Sequence, residues 1–390
     1  MRKRKLFWIN LCALFFITLS LRAPITIIGP LTETLGTFLS STQIGILGSI
    51  PPITFGIIAF LVIFLQPTQA IFIALLCLIF GILFRSLGAD SYAFAGFVAL
   101  YGGTFILSLG IAIINVLLPV IIKNRYPQHI NVAMSLYTVV AGASALCGIL
   151  LILPILNLSS LSFAMGIWVV LPLLGFIFYF SQFHNGRLFR KKPKIAQTKN
   201  FYKNFTAWSI TLFMGFQAIL SYSVVNWLPQ IVSEAGFGIM NGTKCLLLVQ
   251  IVAVVASLLC PIVLKKLTPR EKLYLILILS GIYALFPFAF YLSSNYFVLL
   301  FASLLGGISM GACFSLALLF ISWKTSMKED VILLSSMSQG VGYLMGALGP
   351  YAIGVLHTID ENFDRGLLVL FFCGLGLCIS AYCINRGKSI

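Results

Sequence analysis

Long unbroken apolar runs, each closed by a short cluster of polar, glycine or proline residues, repeat along the whole chain. A run of about 20 apolar residues, coiled as a helix, spans the roughly 30 Å hydrocarbon core of a bilayer. The pattern predicts twelve such helices, at 7–31, 42–65, 70–88, 93–122, 132–153, 162–180, 208–231, 245–264, 273–292, 296–322, 331–356 and 367–384. None shows the alternation over about ten residues that marks a transmembrane β-barrel. The first run is too long for a secretory h-region and has no small-residue cleavage site after it, so it is expected to stay as the first span.

Composition agrees with this pattern. Sixty per cent of the 390 residues are hydrophobic and 9% are charged, with a mean hydropathy of +1.07. A soluble chain of this length could not cover its surface with so few charges, so an all-α polytopic membrane protein is expected. The net charge of +16 would suggest nucleic acid only if its location were ignored. Arg2-Lys3-Arg4-Lys5 precede the first run, and Arg187, Arg190, Lys191, Lys192, Lys194, Lys199 and Lys203 share one interhelical stretch. Such clusters orient spans and contact anionic lipids.

With the N-terminus inside, the cytoplasmic side also receives Lys123, Arg125, Lys265, Lys266, Arg270, Lys272, Lys324, Lys328, Arg386 and Lys388. The outer side receives Arg85, Lys244 and Arg365, with Asp90, Glu234, Asp360, Glu361 and Asp364. This bias predicts a multi-pass protein of the cytoplasmic membrane with both termini cytoplasmic. The nine cysteines lie almost all in apolar runs, without a Cys-x-x-Cys pair, and read as buried hydrophobes. His129, His184 and His357 fall in or beside loops, which disfavours a His-based metal site.

One charge interrupts the pattern. Arg22 sits alone in 7–31, about 22 Å from one end and 13 Å from the other at helical rise. That is too deep for easy snorkelling, and an intramembrane cation marks a pathway or binding site by default. Thr18, Arg22, Thr26, Gly29 and Glu33 fall on one face of a regular helix. Pro24 would free the carbonyl of Ser20 and bend the helix beside the arginine. Arg22 either lines a water-accessible binding face or pairs with carbonyls or a neighbouring helix. Glu33, near the outer end, reads as solvated.

Other polar positions are graded by the same reasoning. Asn115 in 93–122 either lines the path or packs, whereas Thr104 and Ser108 suit close helix packing. Tyr137, followed by Thr138, Gly142, Gly148 and Pro154, is a candidate pore residue. Gln217 must satisfy its amide across an interface or with substrate. Tyr222 and Trp227 can form an apolar wall with a polar tip, and Trp227 can alternatively serve as an aromatic-belt anchor. Ser335, Gln339, Gly342 and Gly346 share a face beside Tyr343, while Gln250 reads as an interhelical hydrogen-bonding residue. No Asp or Glu lies near the middle of a span, which argues against a carboxylate-relay drug/proton antiporter. A proton–anion symport stays open, because an anion can bring its own proton. No Walker A motif, paired carboxylates or His cluster suggests an enzyme or a bound cofactor.

The basic stretch 181–204 divides six helices, in 1–180, from six, in 205–390. This arrangement resembles the plan of the major facilitator superfamily. Leu21-Arg22-Ala23-Pro24-Ile25-Thr26 with Gly29-Pro30-Leu31 resembles the first-helix signature of the cyanate/nitroimidazole transporter family (CynX/NimT-like) within it. Asn115-Val116-Leu117-Leu118-Pro119 with Lys123 and Tyr126-Pro127, and Leu136-Tyr137-Thr138, are similar matches. Phe213-Met214-Gly215-Phe216-Gln217, Tyr222 and Trp227-Leu228-Pro229 look like the seventh-helix motif. Gln339-Gly340-Val341-Gly342-Tyr343 with Gly349-Pro350 and Leu356-His357 looks like the eleventh. Ser20, Ala218, Ser309-Met310-Gly311 and the short uncharged Gln66-Pro67-Thr68-Gln69 depart from the pattern.

The resemblance implies a major-facilitator-type fold and a secondary transporter of a small anionic or heterocyclic solute, working by alternating access. In that reading Arg22 supplies charge, Gln217 and Gln339 supply hydrogen bonds, and Asn115 belongs to the substrate-binding set as a path-lining residue. Tyr137, Tyr222, Trp227 and Tyr343 shape the cavity. The rival readings are efflux of a toxic heterocycle or drug on the same fold, and a membrane receptor that binds solute without moving it.

Overall fold

The computed structural model describes residues 2–61, 66–89, 94–125, 130–183, 203–293, 295–325 and 328–387. Most of the 181–204 stretch, with His184, lies outside them, as do Tyr126-Pro127, His129 and Lys388.

The described residues form twelve helical rods. Rod α1 runs Arg2–Leu19, breaks, and continues through the short turns Ala23–Thr26, Gly29–Leu31 and Thr32–Leu35. Then follow α2 (Ser41–Leu61), α3 (Pro67–Gly88), α4 (Phe94–Arg125) and α5 (Ile130–Leu158). Rod α6 comprises Leu161–Gly166, Ile167–Val169 and Val170–Phe183. The remainder are α7 (Phe205–Val232), α8 (Gly238–Lys265), α9 (Pro269–Leu292), α10 (Tyr296–Lys324), α11 (Lys328–Asp360) and α12 (Asp364–Arg386). Ten stretches among the described residues are long and apolar enough to cross a membrane. One of these, Phe205–Lys265, holds both α7 and α8, and α11 adds the twelfth rod.

Local chemistry sets the rod ends. The Asn204 side chain accepts from the amides of Thr206 and Ala207 at 2.8 and 3.2 Å, capping α7. Thr268 and Glu271 form a reciprocal capping box with Pro269 in the first turn of α9. Gln66 stands at the N-cap of α3, with Pro67 beginning the helix. Between α7 and α8 the chain widens through Ser233–Phe237, with Gly236 at φ 94° and Gly238 at φ 74°. Both angles fall where a side chain is costly, so glycine is required at this junction.

The chain groups into two compact units, one of Met1–Ile28 with Leu61–Pro193, the other of Gly29–Phe60 with Lys194–Ile390. In the first, α3 lies against α4 with Gly81, Gly103 and Gly110 at the crossing, and α1 packs on α5 and α6. In the second, α7 packs on α11, α8 on α10 and α9 on α12. The Gly29–Phe60 segment belongs to the second unit because α2 presents Gly45, Gly48 and Gly56 to α11 and α7. Missing side chains there let the backbones approach closely.

Candidate functional site

In the first unit the polar groups converge on the break in α1. Pro24 cannot donate to the carbonyl of Ser20, and the helix stops at Leu19 and restarts at Ala23. The freed backbone groups are collected by side chains of other rods. The Ser144 hydroxyl, from α5, accepts from the amides of Arg22 (3.2 Å) and Ala23 (3.0 Å) and donates to the carbonyl of Leu19. Arg85 Nη1, from α3, donates to the Pro24 carbonyl at 2.6 Å. Thr26 Oγ1 lies 3.3 Å from the carbonyl of Ala145 and 3.2 Å from that of Arg22. Residue 22 is therefore held by its backbone, and its side chain is left for other work.

The half-buried Arg22 guanidinium has no hydrogen bond or ion pair with any described residue. Tyr137 is close enough to feel its charge, and the Tyr137 hydroxyl donates to Asn115 Oδ1 at 3.2 Å. Three expected site residues thus gather in one unit. The regular stripe from Thr18 to Glu33 does not form, because the break ends the 3.6-residue register. Thr18 is buried and bonded to its own helix at Leu14, Gly29 packs on Val225, and Glu33 is exposed.

In the second unit the two glutamines are held alike. Gln217 Nε2 donates to Ser221 Oγ at 2.8 Å, and Ser221 Oγ meets the buried Tyr283 hydroxyl at 2.9 Å. Gln339 Nε2 donates to Ser335 Oγ at 2.6 Å. Each amide nitrogen is spent on a serine one turn away, and neither Oε1 accepts from a described residue. Both glutamines thus keep a carbonyl acceptor with no partner among the described residues. Beside them Tyr222, Tyr343 and Phe55 form an edge-to-face trio with centroids 5.7 to 6.5 Å apart. Gly342 and Gly346 bring α11 against Met214 and Ala218 of α7.

Trp227 lies apart from this trio. It is fully buried, its Nε1 donates to the Pro350 carbonyl at 3.0 Å, and its ring stacks on His357. A belt anchor would face lipid headgroups, so that alternative falls away. Gln250 makes no hydrogen bond to a described residue, and the interhelical role expected of it is not met.

Two supporting residues escape sequence reasoning. Arg85 is not an outer-loop charge. It is wholly buried in the first unit, and only its Nη1 is partnered among the described residues. Gly103 makes room for it by admitting α4 against the Arg85 backbone. Its position three residues from the end of an apolar run looked like an interface cation. The sequence pattern does not single out Ser144.

The profile of the Major Facilitator Superfamily matches residues 11–350. A 2-nitroimidazole transporter of Escherichia coli (strain K12) is 28% identical over 97% of this chain and 96% of its own length. The cyanate transport protein CynX of the same organism is 25% identical over 95% of both chains. Among solved structures, a D-xylose-proton symporter superposes with a TM-score of 0.73 at 13% identity, covering 98% of this chain and 99% of its own.

Proposed function

Because this chain belongs to the Major Facilitator Superfamily and is a multi-pass secondary transporter of small solutes rather than an enzyme, we propose that its solute is a small anion or an electron-rich heterocycle. The observation that carries this reading is the Arg22 guanidinium, inside an apolar rod with no protein partner among the described residues. An unmatched cation is costly in hydrocarbon and is offset most directly by an anionic or electron-rich ligand. The two relatives are transporters named for cyanate and 2-nitroimidazole, a small anion and a heterocycle of these same classes.

In this reading Arg22 binds the solute's negative or electron-rich edge. Tyr137 and Asn115 hold hydrogen bonds beside it, Gln217 and Gln339 offer carbonyl acceptors, and Tyr222 and Tyr343 line the route. Trp227 acts in the packed end of α7. Movement is by alternating access of the halves 1–180 and 205–390, joined by the basic 181–204 linker. The protein lies in the cytoplasmic membrane with both termini inside, its basic segments on anionic lipid. A proton moves with the solute if the solute brings one.

Thermal-shift screening of purified protein against cyanate, 2-nitroimidazole and related small anions tests this directly, since binding raises stability by linkage. A ligand stabilises the wild type, the shift disappears in Arg22→Ala, and uptake of that ligand into proteoliposomes falls at least about tenfold. Wild-type transport in both Arg22→Ala and Arg22→Lys would refute the charge assignment.

A further inference from the structure

Against the end of α7 lies a group of α11 that solute binding leaves unused. His357, near the C-terminal end of α11, has a side chain only 14% exposed, and both ring nitrogens are engaged. Nδ1 lies 2.8 Å from Ser41 Oγ at the start of α2. Nε2 lies 2.9 and 3.1 Å from the two oxygens of Glu234, just past α7. The ring stacks on Trp227, at 6.4 Å between centroids and 17° between planes, and lies 4.3 Å from Phe363. Gln230 Nε2 steadies the Glu234 carboxylate at 2.9 Å. One imidazole therefore ties together the start of α2, the end of α7 and α11.

Neighbouring bonds close the same seam. The amide of Thr42 donates to Thr358 Oγ1 at 3.0 Å, and the two threonine hydroxyls are 2.9 Å apart. Further along, Ser49 Oγ donates to the Ala347 carbonyl at 2.6 Å. Of the other charged groups at this end, Arg365 pairs with Asp360 at 3.1 Å and Lys244 donates to Asn241. Glu33, Glu361 and Asp364 are exposed. Among the described residues Glu234 alone presents a charge to the ring.

We propose that His357 and Glu234 form a proton-binding latch that holds α2 against α7 and α11, and that acid favours its closed state. The proposal rests on the transport reading above, in which this seam must open during the cycle. A neutral ring donates from Nε2 to Glu234 and accepts from the Ser41 hydroxyl at Nδ1. A proton added at Nδ1 makes both nitrogens donors, and Ser41 turns to accept. Both hydrogen bonds survive, while the Glu234 contact becomes an ion pair and the Phe363 face meets a cation. A histidine ring can take up a proton while keeping both of these hydrogen bonds, which suits it to such a switch. By linkage, opening the latch at fixed pH releases that proton.

The test uses purified full-length protein carrying Ser49→Cys, which places a thiol in the seam. Maleimide labelling of that cysteine is followed by peptide mass spectrometry at pH 5.5 and 8. Each rate is divided by that of the unfolded protein at the same pH. With His357 present the normalised rate falls about fivefold at the acid pH, the gap between a neutral and a charge-assisted hydrogen bond. Adding His357→Gln, or Glu234→Gln (which keeps the side-chain shape), abolishes the difference. A rate that does not change with pH while His357 is present, or an undiminished difference in both variants, overturns the latch alone. Absence of labelling at either pH in every variant overturns the latch together with the alternating-access reading.

Discussion

Arg22 depends on its backbone neighbours as much as on its own charge. Ser144 serves three main-chain groups at the break, those of Leu19, Arg22 and Ala23. Ser144→Ala would leave two donors and an acceptor without that partner inside the bundle. Leaving a buried polar group unsatisfied costs about 1–3 kcal/mol, so the variant is expected to lose stability in that range. A chemical or thermal unfolding curve of the purified protein checks it, and stability within about 0.5 kcal/mol of wild type would contradict the bracing role. Arg22 itself was legible in the sequence because a lone cation in an apolar run has few explanations. Ser144 was not, because a serine in a transmembrane helix usually bonds its own preceding turn, and its partner lies more than a hundred residues away.

At the scale of elements, the break in α1 and the glycine face of α2 do the positioning. The proline bend beside Arg22 was readable, since a missing N–H and a ring clash act locally. Its consequence for the stripe was not, because a break of three residues rotates everything after it by an amount that local sequence does not specify. Along α2, Gly45 lies against the Pro350 carbonyl and Tyr351, and Gly48 lies against Asn226. Gly45→Val would force backbones apart rather than displace a flexible side chain, and overpacking of this kind typically costs about 1–3 kcal/mol. The seam is then expected to open more often, with labelling of the Ser49→Cys thiol rising about tenfold. An unchanged rate would mean that α2 holds to α11 by other means.

At the scale of the whole molecule, family membership rests on agreement along the entire chain rather than on any single motif. The resemblance carried by helices 1, 4, 5, 7 and 11 is matched by relatives that align over nearly their full length. In the orientation proposed from the charge bias, a reporter fused after Ile390 is expected to be active only in the cytoplasm. A periplasmic signal would reverse the assignment.

The sequence by itself determined the class of the protein, the number and order of its helices, and the isolation of Arg22. Those properties follow from hydrophobicity, helix length and charge counted along one chain, and each is local or additive. Only the tertiary structure decided which side chains brace the α1 break and that Arg85 is buried. It also placed Trp227 in a packed seam and joined His357 to Ser41 and Glu234. These are pairings between distant segments, set by the rotation and crossing of helices, which a one-dimensional pattern leaves open.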